Sequence, residues 1–441
     1  MGRRLVMWPQ GGLWRHPDFL RLWAGQTISQ FGSQVSALAL PIVAIVVLEA
    51  SAFEVALLGT VEFLPFLLFT LPAGVWVDRL RRRPILIVAD LGRAALLVSV
   101  PVAYGLDALT LWQLYAVGFA VGTLTVFFDV AYQSYLPSLV RRDQLVEGNS
   151  KLELSVSAGQ LGGPAAAGGL ISLITAPWAV LADAISFLGS AFFVLRIRKR
   201  EDVVHPTAAA ERPGMRAEVW EGLRFVFKDP RLRALTESTV IFNFCANGAF
   251  AVYLVYAVRT LGLSPAAIGV IFSLGNIGWL VGALVAGRLS ARLGVGRTIV
   301  FTGLVAAPAL MLVPAAPKSA PIPFLIAAGV INSFGLVIWR IAQVSLRQAI
   351  TPDRMLGRVN AVSRFVMWGT IPLGTLLGGA LGSTIGLRTT LWLGTIGASF
   401  TVLPVLLSPV RKIVSVPDQP EESEPDMAIG MTAVGMEEGH A

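Results

Sequence analysis

The sequence runs to 441 residues, of which 55% are hydrophobic and only 14% charged. Water-soluble domains carry about a quarter of their residues as Asp, Glu, Lys and Arg, so a chain this long and this poor in charge cannot cover itself with polar surface and takes lipid as its solvent. The net charge of +8 does not mark a nucleic-acid binder, because the bases sit in short segments between apolar runs.

Those runs have the length a helix needs to cross roughly 30 Å of hydrocarbon. They predict membrane helices over 20–46, 53–77, 85–105, 109–133, 150–174, 177–197, 233–259, 264–288, 297–316, 321–347, 358–384 and 388–410. The charged stretch 198–232, with Pro206 and Pro213, divides them six and six. Expected domains are therefore a short N-terminal segment (1–19), a first bundle (20–197), a polar central loop, a second bundle (233–410), and an acidic tail (411–441) too polar to bury a core. With the N-terminus inside, most basic residues fall in inner segments, and the outer loops hold only Arg259, Lys318 and Arg388. Both termini are therefore expected in the cytoplasm. Trp112, Trp178 and Trp392 fall at the outer ends of runs, as an interfacial belt would place them.

Polar groups inside the runs are the site candidates. Gln26, Gln30 and Gln34 stack three amides on one face of the first run. Lipid would penalise that stripe, which predicts an aqueous cavity beside it; bonding between helices is the other reading. Glu62 lies about 14 Å from the outer end of the second run at 1.5 Å per residue. An ionisable group at that depth is costly and hence a candidate proton carrier or anchor for a cationic substrate, against a structural hydrogen bond to a neighbouring helix. Asp90 and Arg93, three residues apart, can pair as a conformational or structural ion pair. Asp129, near the inner end of the fourth run, is a second proton candidate, with Arg79 or Arg340 as expected partners across an inner gate. Asp183 in the sixth run reads as structural. Asn243, Asn247 and Asn276 add polar lining from the seventh and eighth runs, and Arg340 in the tenth is a candidate gate or anion contact. Trp279 and Trp368 lie mid-run, where rings stack on a bulky amphipathic substrate or simply pack.

The two halves repeat. AGVWVDRLRRRPI, between the second and third runs, aligns with AGRLSARLGVGRTI, setting Gly74 on Gly287 and Arg79 on Arg292. QSYLPSLVRRDQLVEGN aligns with QVSLRQAITPDRMLGRVN, setting Gln133 on Gln343 and Asp143 on Asp353. Parallel repeats predict a carrier that rocks about a site between its halves.

Together with FLRLWAGQTISQFGSQ, FLPFLLFTLPAGVWVDRLRRRPILIVADLGRA, YLPSLV and DAISFLGSA, these features resemble the major facilitator superfamily, and within it the bacterial branch of enterobactin exporters and macrolide efflux proteins. The likeness covers about residues 15–410. It implies an all-α membrane fold of twelve transmembrane helices in two pseudo-symmetric six-helix bundles. The superfamily loop motif G-x-x-x-D-R-x-G-R-R is met by Gly74, Asp78, Arg79, Arg82 and Arg83, with Arg81 at the second glycine. The second copy keeps that glycine as Gly294 but has Ala291 in place of the aspartate. By resemblance, Gly74 permits close helix approach, and Asp78 sits on the N-terminus of the eleventh helix near Arg358, latching one state, with Asp90 and Arg93 within reach of the same loop. GQLGGPAAAGG, with Gly159, Gly163, Pro164, Gly168 and Gly169, is similar to the family's antiporter motif, slipped by one residue and with Ala167 in a glycine place. It implies export over import, its small residues sealing the halves and Pro164 bending the helix.

No lysine follows a glycine, so there is no phosphate-binding loop, and a gradient rather than ATP is expected to supply energy. His16, His205 and His440 lie outside the runs. No catalytic residue, metal or cofactor is expected. The expected protein is a monomeric secondary carrier in the cytoplasmic membrane of a bacterium. It exchanges protons for a hydrophobic or amphipathic small molecule such as a drug, siderophore or secreted metabolite. An importer or lipid flippase on the same scaffold, or a non-transporting sensor, are the alternatives.

Overall fold

The computed structural model describes residues 12–141, 144–199 and 215–414, which are helix and turn without a strand. Local chemistry fixes many of the helix ends. α1 (Pro17–Ile42) is capped by His16, whose Nδ1 accepts from the Phe19 N–H at 3.1 Å, and continues through a wider turn over Val43–Val47. α2 (Ala52–Arg79) starts on a capping box, with Ser51 and Glu54 each accepting from the other's amide. α3 (Arg82–Gly105), α4 (Leu111–Leu139), α5 (Leu145–Ile174) and α6 (Ala176–Leu195) complete the first set. α7 (Met215–Lys228) is short, and Asp229 caps α8 (Pro230–Val255). Then come α9 (Pro265–Leu293), α10 (Val295–Ala309) with the single turn α11 (Leu312–Ala315), α12 (Pro321–Ile350), α13 (Asp353–Thr384), and α14 (Leu387–Ser399) with α15 (Leu403–Leu407).

Eleven of these spans, among the described residues, are long and apolar enough to cross a membrane. α5 is the twelfth by length, at 30 residues. Its glycines, Lys151, Glu153 and Gln160 dilute its hydropathy. Each expected run corresponds to one of these spans, within a few residues at its ends.

One expectation changes. The stretch 198–232, read as a loop, contains α7. That helix buries Gly222 and Val226 and leaves Trp220, Arg224, Phe227 and Lys228 exposed. It packs on α13, and Arg358 Nη1 donates to Glu221 at 2.7 Å. Its apolar stripe is too short to stand out among charges and prolines. The two copies of the loop motif also differ in backbone geometry. Gly294 takes a left-handed φ of 84°, whereas Arg81, at the equivalent place in the first half, has φ −68°. The glycine survives only in the copy whose turn requires it. The expected tail lies outside the described residues.

α1 packs on α5 and α6, α3 on α4 and α6, and α2 on α4; in the second set α8 packs on α13 and α14, and α12 on α9 and α10. Small residues make these crossings tight. A Cβ at Gly32 would overlap Ser186 and Asp183 of α6, and one at Gly378 would overlap the backbone of Gly248 on α8. The sets meet along two seams, α5 with α9 and α2 with α13.

Candidate functional site

Both seams are closed over the part distal to the chain termini. On the first, the Ala266 N–H donates to Ser172 Oγ at 3.2 Å, and the Ala165 N–H, beside the helix-bending Pro164, donates to Ser273 Oγ at 2.9 Å. Gly168 sits directly on the Pro265 backbone and Gly269 on the Pro164 carbonyl. On the second, the Phe53 N–H donates to Ser383 Oγ at 3.1 Å, and Trp368 meets Phe63 and Phe66 edge-on at 6.1 and 5.9 Å. Arg259 adds bonds to the Ile45 and Ala50 carbonyls at 3.1 and 2.8 Å, tying α8 to the α1–α2 turn.

In the half nearer the termini lies a cavity of about 810 Å³, walled by α1, α4 and α5. Its polar lining includes Gln26, Gln30, Asp129, Tyr132, Gln133 and Glu153. Gln26 and Gln30 therefore fulfil the stripe expectation. Gln34 does not, since it packs on Gly163, while Gln30 also lies against Gly159. The antiporter-like motif is thus split. Pro164 and Gly168 sit on the seam, Gly159 and Gly163 give α1 its close approach to α5, and Gly169 faces open space.

Other candidates fall elsewhere. Asn243 Nδ2 donates to the Met367 carbonyl and Asn247 Nδ2 to the Asn243 carbonyl, at 3.2 and 2.8 Å. Asn276 Nδ2 crosses the seam to the Gln160 carbonyl at 2.6 Å and also lines a second cavity of about 210 Å³ within the C-terminal set. Trp368 is a seam residue. The Arg340 guanidinium lies 5.8 Å from the Trp279 ring centre, so these two form a cation–π pair. Gly74 has no neighbouring atom within 4 Å of where a Cβ would be, against the expected close approach, because the motif loops lie at the parted end. Arg83 donates to the Val194 and Leu195 carbonyls at 3.2 and 2.7 Å, closing the end of α6. The side chains of Asp78 and Arg79 lie outside those described.

Two buried charge sites stand out. Glu62 Oε1 is buried without a hydrogen-bond partner. The side chain lies over Gly118 of α4, and Gly122 lies against the Glu62 carbonyl, so this glycine pair makes its room. The second site gathers residues that the sequence offers separately. Arg93 Nη2 donates to Asp90 Oδ1 at 2.5 Å, with the side chains 4% and 0% exposed. The Arg93 guanidinium is sandwiched between Phe128 and Phe187 at 4.3 and 4.1 Å. Asp129 and Asp183 both lie within its electrostatic reach, and Ser186 Oγ donates to Asp183 Oδ1 at 3.0 Å. Asp129 thus faces Arg93 of its own half rather than Arg340. Sequence reading missed Glu153 and Tyr132. The signal for Glu153 was the polar face of Asn149, Ser150, Glu153 and Ser157 at helical spacing.

Residues 13–435 match the family model described as transmembrane secretion effector. The multidrug efflux pump Tap of Mycolicibacterium fortuitum is 30% identical over 396 residues, covering 85% of this chain and 91% of that protein. Macrolide efflux protein A of Streptococcus pyogenes is 25% identical over 407 residues, covering 90% and 97%. Among solved structures, a bacterial homologue of the iron transporter ferroportin in its inward-facing state superposes with a TM-score of 0.73 at 17% identity, covering 90% of this chain and 99% of that one. An outward-facing structure under the same description gives 0.55 at 19% identity, covering 88% and 98%.

Proposed function

The chain belongs to the transmembrane secretion effector family of the major facilitator superfamily, and on that premise we propose that it exports a hydrophobic or amphipathic small molecule by alternating access, in exchange for protons. One observation carries the reading: both seams are closed distally while a polar cavity of about 810 Å³ lies in the half nearer the termini. The basic residues of the short loops put the termini in the cytoplasm, so this cavity faces the compartment from which an exporter loads. Residues 20–197 and 233–410 are the two bodies that rock, opening the seams and closing the termini end. The small residues of α5 and the efflux relatives support the same direction, and the better superposition on an inward-facing carrier supports the side to which the cavity opens. The membrane is the bacterial cytoplasmic membrane, and the working unit is a monomer.

Glu62 and Asp129 are the carboxylates that would carry the proton. Glu62 is buried on a helix of the second seam and Asp129 lines the cavity, places where a charge change alters the balance between states. The 74–83 loop, with Asp78 on α13, would hold the opposite state.

Fluorescent-dye uptake into inverted vesicles with an imposed pH gradient tests this. Wild type should accumulate the dye only while the gradient lasts, and Glu62→Gln and Asp78→Asn should fall to background. Transport that is absent, or indifferent to the gradient, across a panel of amphipathic dyes and macrolides would contradict the proposal.

A further inference from the structure

We infer that the smaller cavity, inside the C-terminal set, is a second ligand site. It takes a neutral aromatic molecule of one or two rings bearing an O–H or N–H, and its occupation holds the α5–α9 seam closed. The pocket stands on its own geometry; its link to the seam rests on the alternating access proposed above.

The cavity, of about 210 Å³, is walled by α8, α9, α12 and α14 and by the α10–α11 stretch. It lies wholly within the C-terminal set, whereas the larger cavity is lined from the N-terminal one. Size separates the two as well. Drug-sized ligands fill roughly 300–1,000 Å³, so the smaller cavity does not admit a bulky substrate. It exceeds the roughly 150 Å³ that holds benzene in an engineered apolar core, which leaves room for two fused rings. Phe250, Tyr253 and Phe272 supply an aromatic wall, their ring centres 5.5, 6.0 and 6.2 Å apart, on which a flat guest can stack or sit edge-on. Where α9 crosses α12, Gly275 and Gly329 meet so closely that a Cβ on Gly275 would stand 3.3 Å from the Gly329 Cα.

The polar groups of the wall define the guest further. No Asp, Glu, Lys, Arg or His lines the cavity among the described residues. An ion would lose its hydration there without a counter-charge, so the guest is neutral. Asn332 Nδ2 donates to the Ala306 carbonyl at 2.9 Å, and Asn276 Nδ2 to the Gln160 carbonyl at 2.6 Å. The Ser333 and Thr395 hydroxyls donate to the Gly275 and Leu391 carbonyls at 2.6 and 2.8 Å. These anchors orient the two amides and leave their oxygens without a protein donor among the described residues. An O–H or N–H on the guest is the complement of those acceptors.

Asn276 joins the pocket to the seam. α9 presents Ser273 and Asn276, one turn apart, to α5: Ser273 Oγ accepts from the Ala165 N–H at 2.9 Å, and Asn276 reaches Gln160. A guest that donates to the Asn276 oxygen fixes the amide in the orientation that points its nitrogen across the seam. Parting the seam removes the Gln160 carbonyl and frees that amide to turn. The guest therefore binds the closed arrangement better, and by linkage stabilises it.

The probe is 2-naphthol, bound to the purified full-length protein in equilibrium dialysis and compared with 2-methoxynaphthalene, which keeps the rings and lacks the donor. Wild type should bind 2-naphthol saturably and about tenfold tighter, the usual consequence of leaving a buried acceptor without its donor. Asn332→Leu, of similar size, should erase that preference. Ala328→Leu should fill the cavity and abolish binding, since Ala328 lines it and is 1% exposed. For the seam, Ser273→Cys in a Cys245→Ser background places a thiol at a buried position on α9, and its reaction with a small methanethiosulfonate reports opening. At ten times its dissociation constant, 2-naphthol should slow that reaction about tenfold, as a ligand confined to the closed arrangement requires. Equal affinity for the two naphthalenes, binding unaltered by both variants, or an unchanged thiol reaction overturns the inference. Gradient-driven dye export without saturable 2-naphthol binding removes the pocket and leaves the exporter. Preference and protection intact in a protein that moves no dye with the gradient remove the exporter and leave the pocket.

Discussion

A chain carrying Ser172→Cys and Ala266→Cys, with its own Cys245 replaced by serine, should lose transport completely on oxidation and regain it on reduction. The Ser172 hydroxyl and the Ala266 amide are 3.2 Å apart across the α5–α9 seam, and Gly168 lies directly on the Pro265 backbone one turn away. That proximity brings two new thiols within reach of a disulfide. A carrier that rocks must part this seam in every cycle, so a covalent bond there freezes the cavity on the side of the termini. The single-cysteine variants, oxidised in the same way, should transport like wild type. Undiminished transport by the oxidised, demonstrably cross-linked pair would mean that the seam never opens.

The second large effect lies within the first bundle. Arg93→Met should destabilise the protein by about 3–5 kcal/mol, the usual cost of leaving one member of a buried ion pair behind. Asp90, 0% exposed, would be left with no guanidinium beside it, and Phe128 and Phe187 would lose the cation between them. Joining Arg93→Met with Asp90→Asn should recover much of the loss, because neutralising both partners of a buried pair is often close to neutral. Thermal unfolding in detergent of the two single variants and the double variant completes the cycle. Equal stability of Arg93→Met and wild type would show that the buried pair with Asp90 does not hold the fold.

Much of this architecture was legible in the residues, for definite reasons. Hydrocarbon imposes one length on every spanning helix, so the runs appear in the sequence as they do in the fold. Intramembrane charges announce themselves individually, as Glu62, Asp90, Arg93, Asp129 and Asp183 did. Their company did not. Asp129 and Arg93 meet only because α3 and α4 pack face to face with α6 behind them, and no spacing along the chain encodes that rotation. Sequence logic offered Arg79 or Arg340 as the partner; the Arg79 side chain lies outside those described, and Arg340 rests by Trp279. The glutamine stripe shows the same limit. Its face was readable, yet only packing separates Gln26 and Gln30, which line the cavity, from Gln34, which α5 covers through Gly163. α7 escaped notice because one buried stripe of Gly222 and Val226 is too brief to register as a period.

The side to which the cavity opens is the premise on which direction, loading and coupling all rest. Ser157→Cys in a Cys245→Ser background places one thiol at an exposed position of the cavity wall. Its reaction with a membrane-impermeant maleimide, compared in inverted and right-side-out vesicles without a gradient, reads that side directly. The account predicts rapid labelling in inverted vesicles and little in right-side-out ones; the reverse pattern would contradict it.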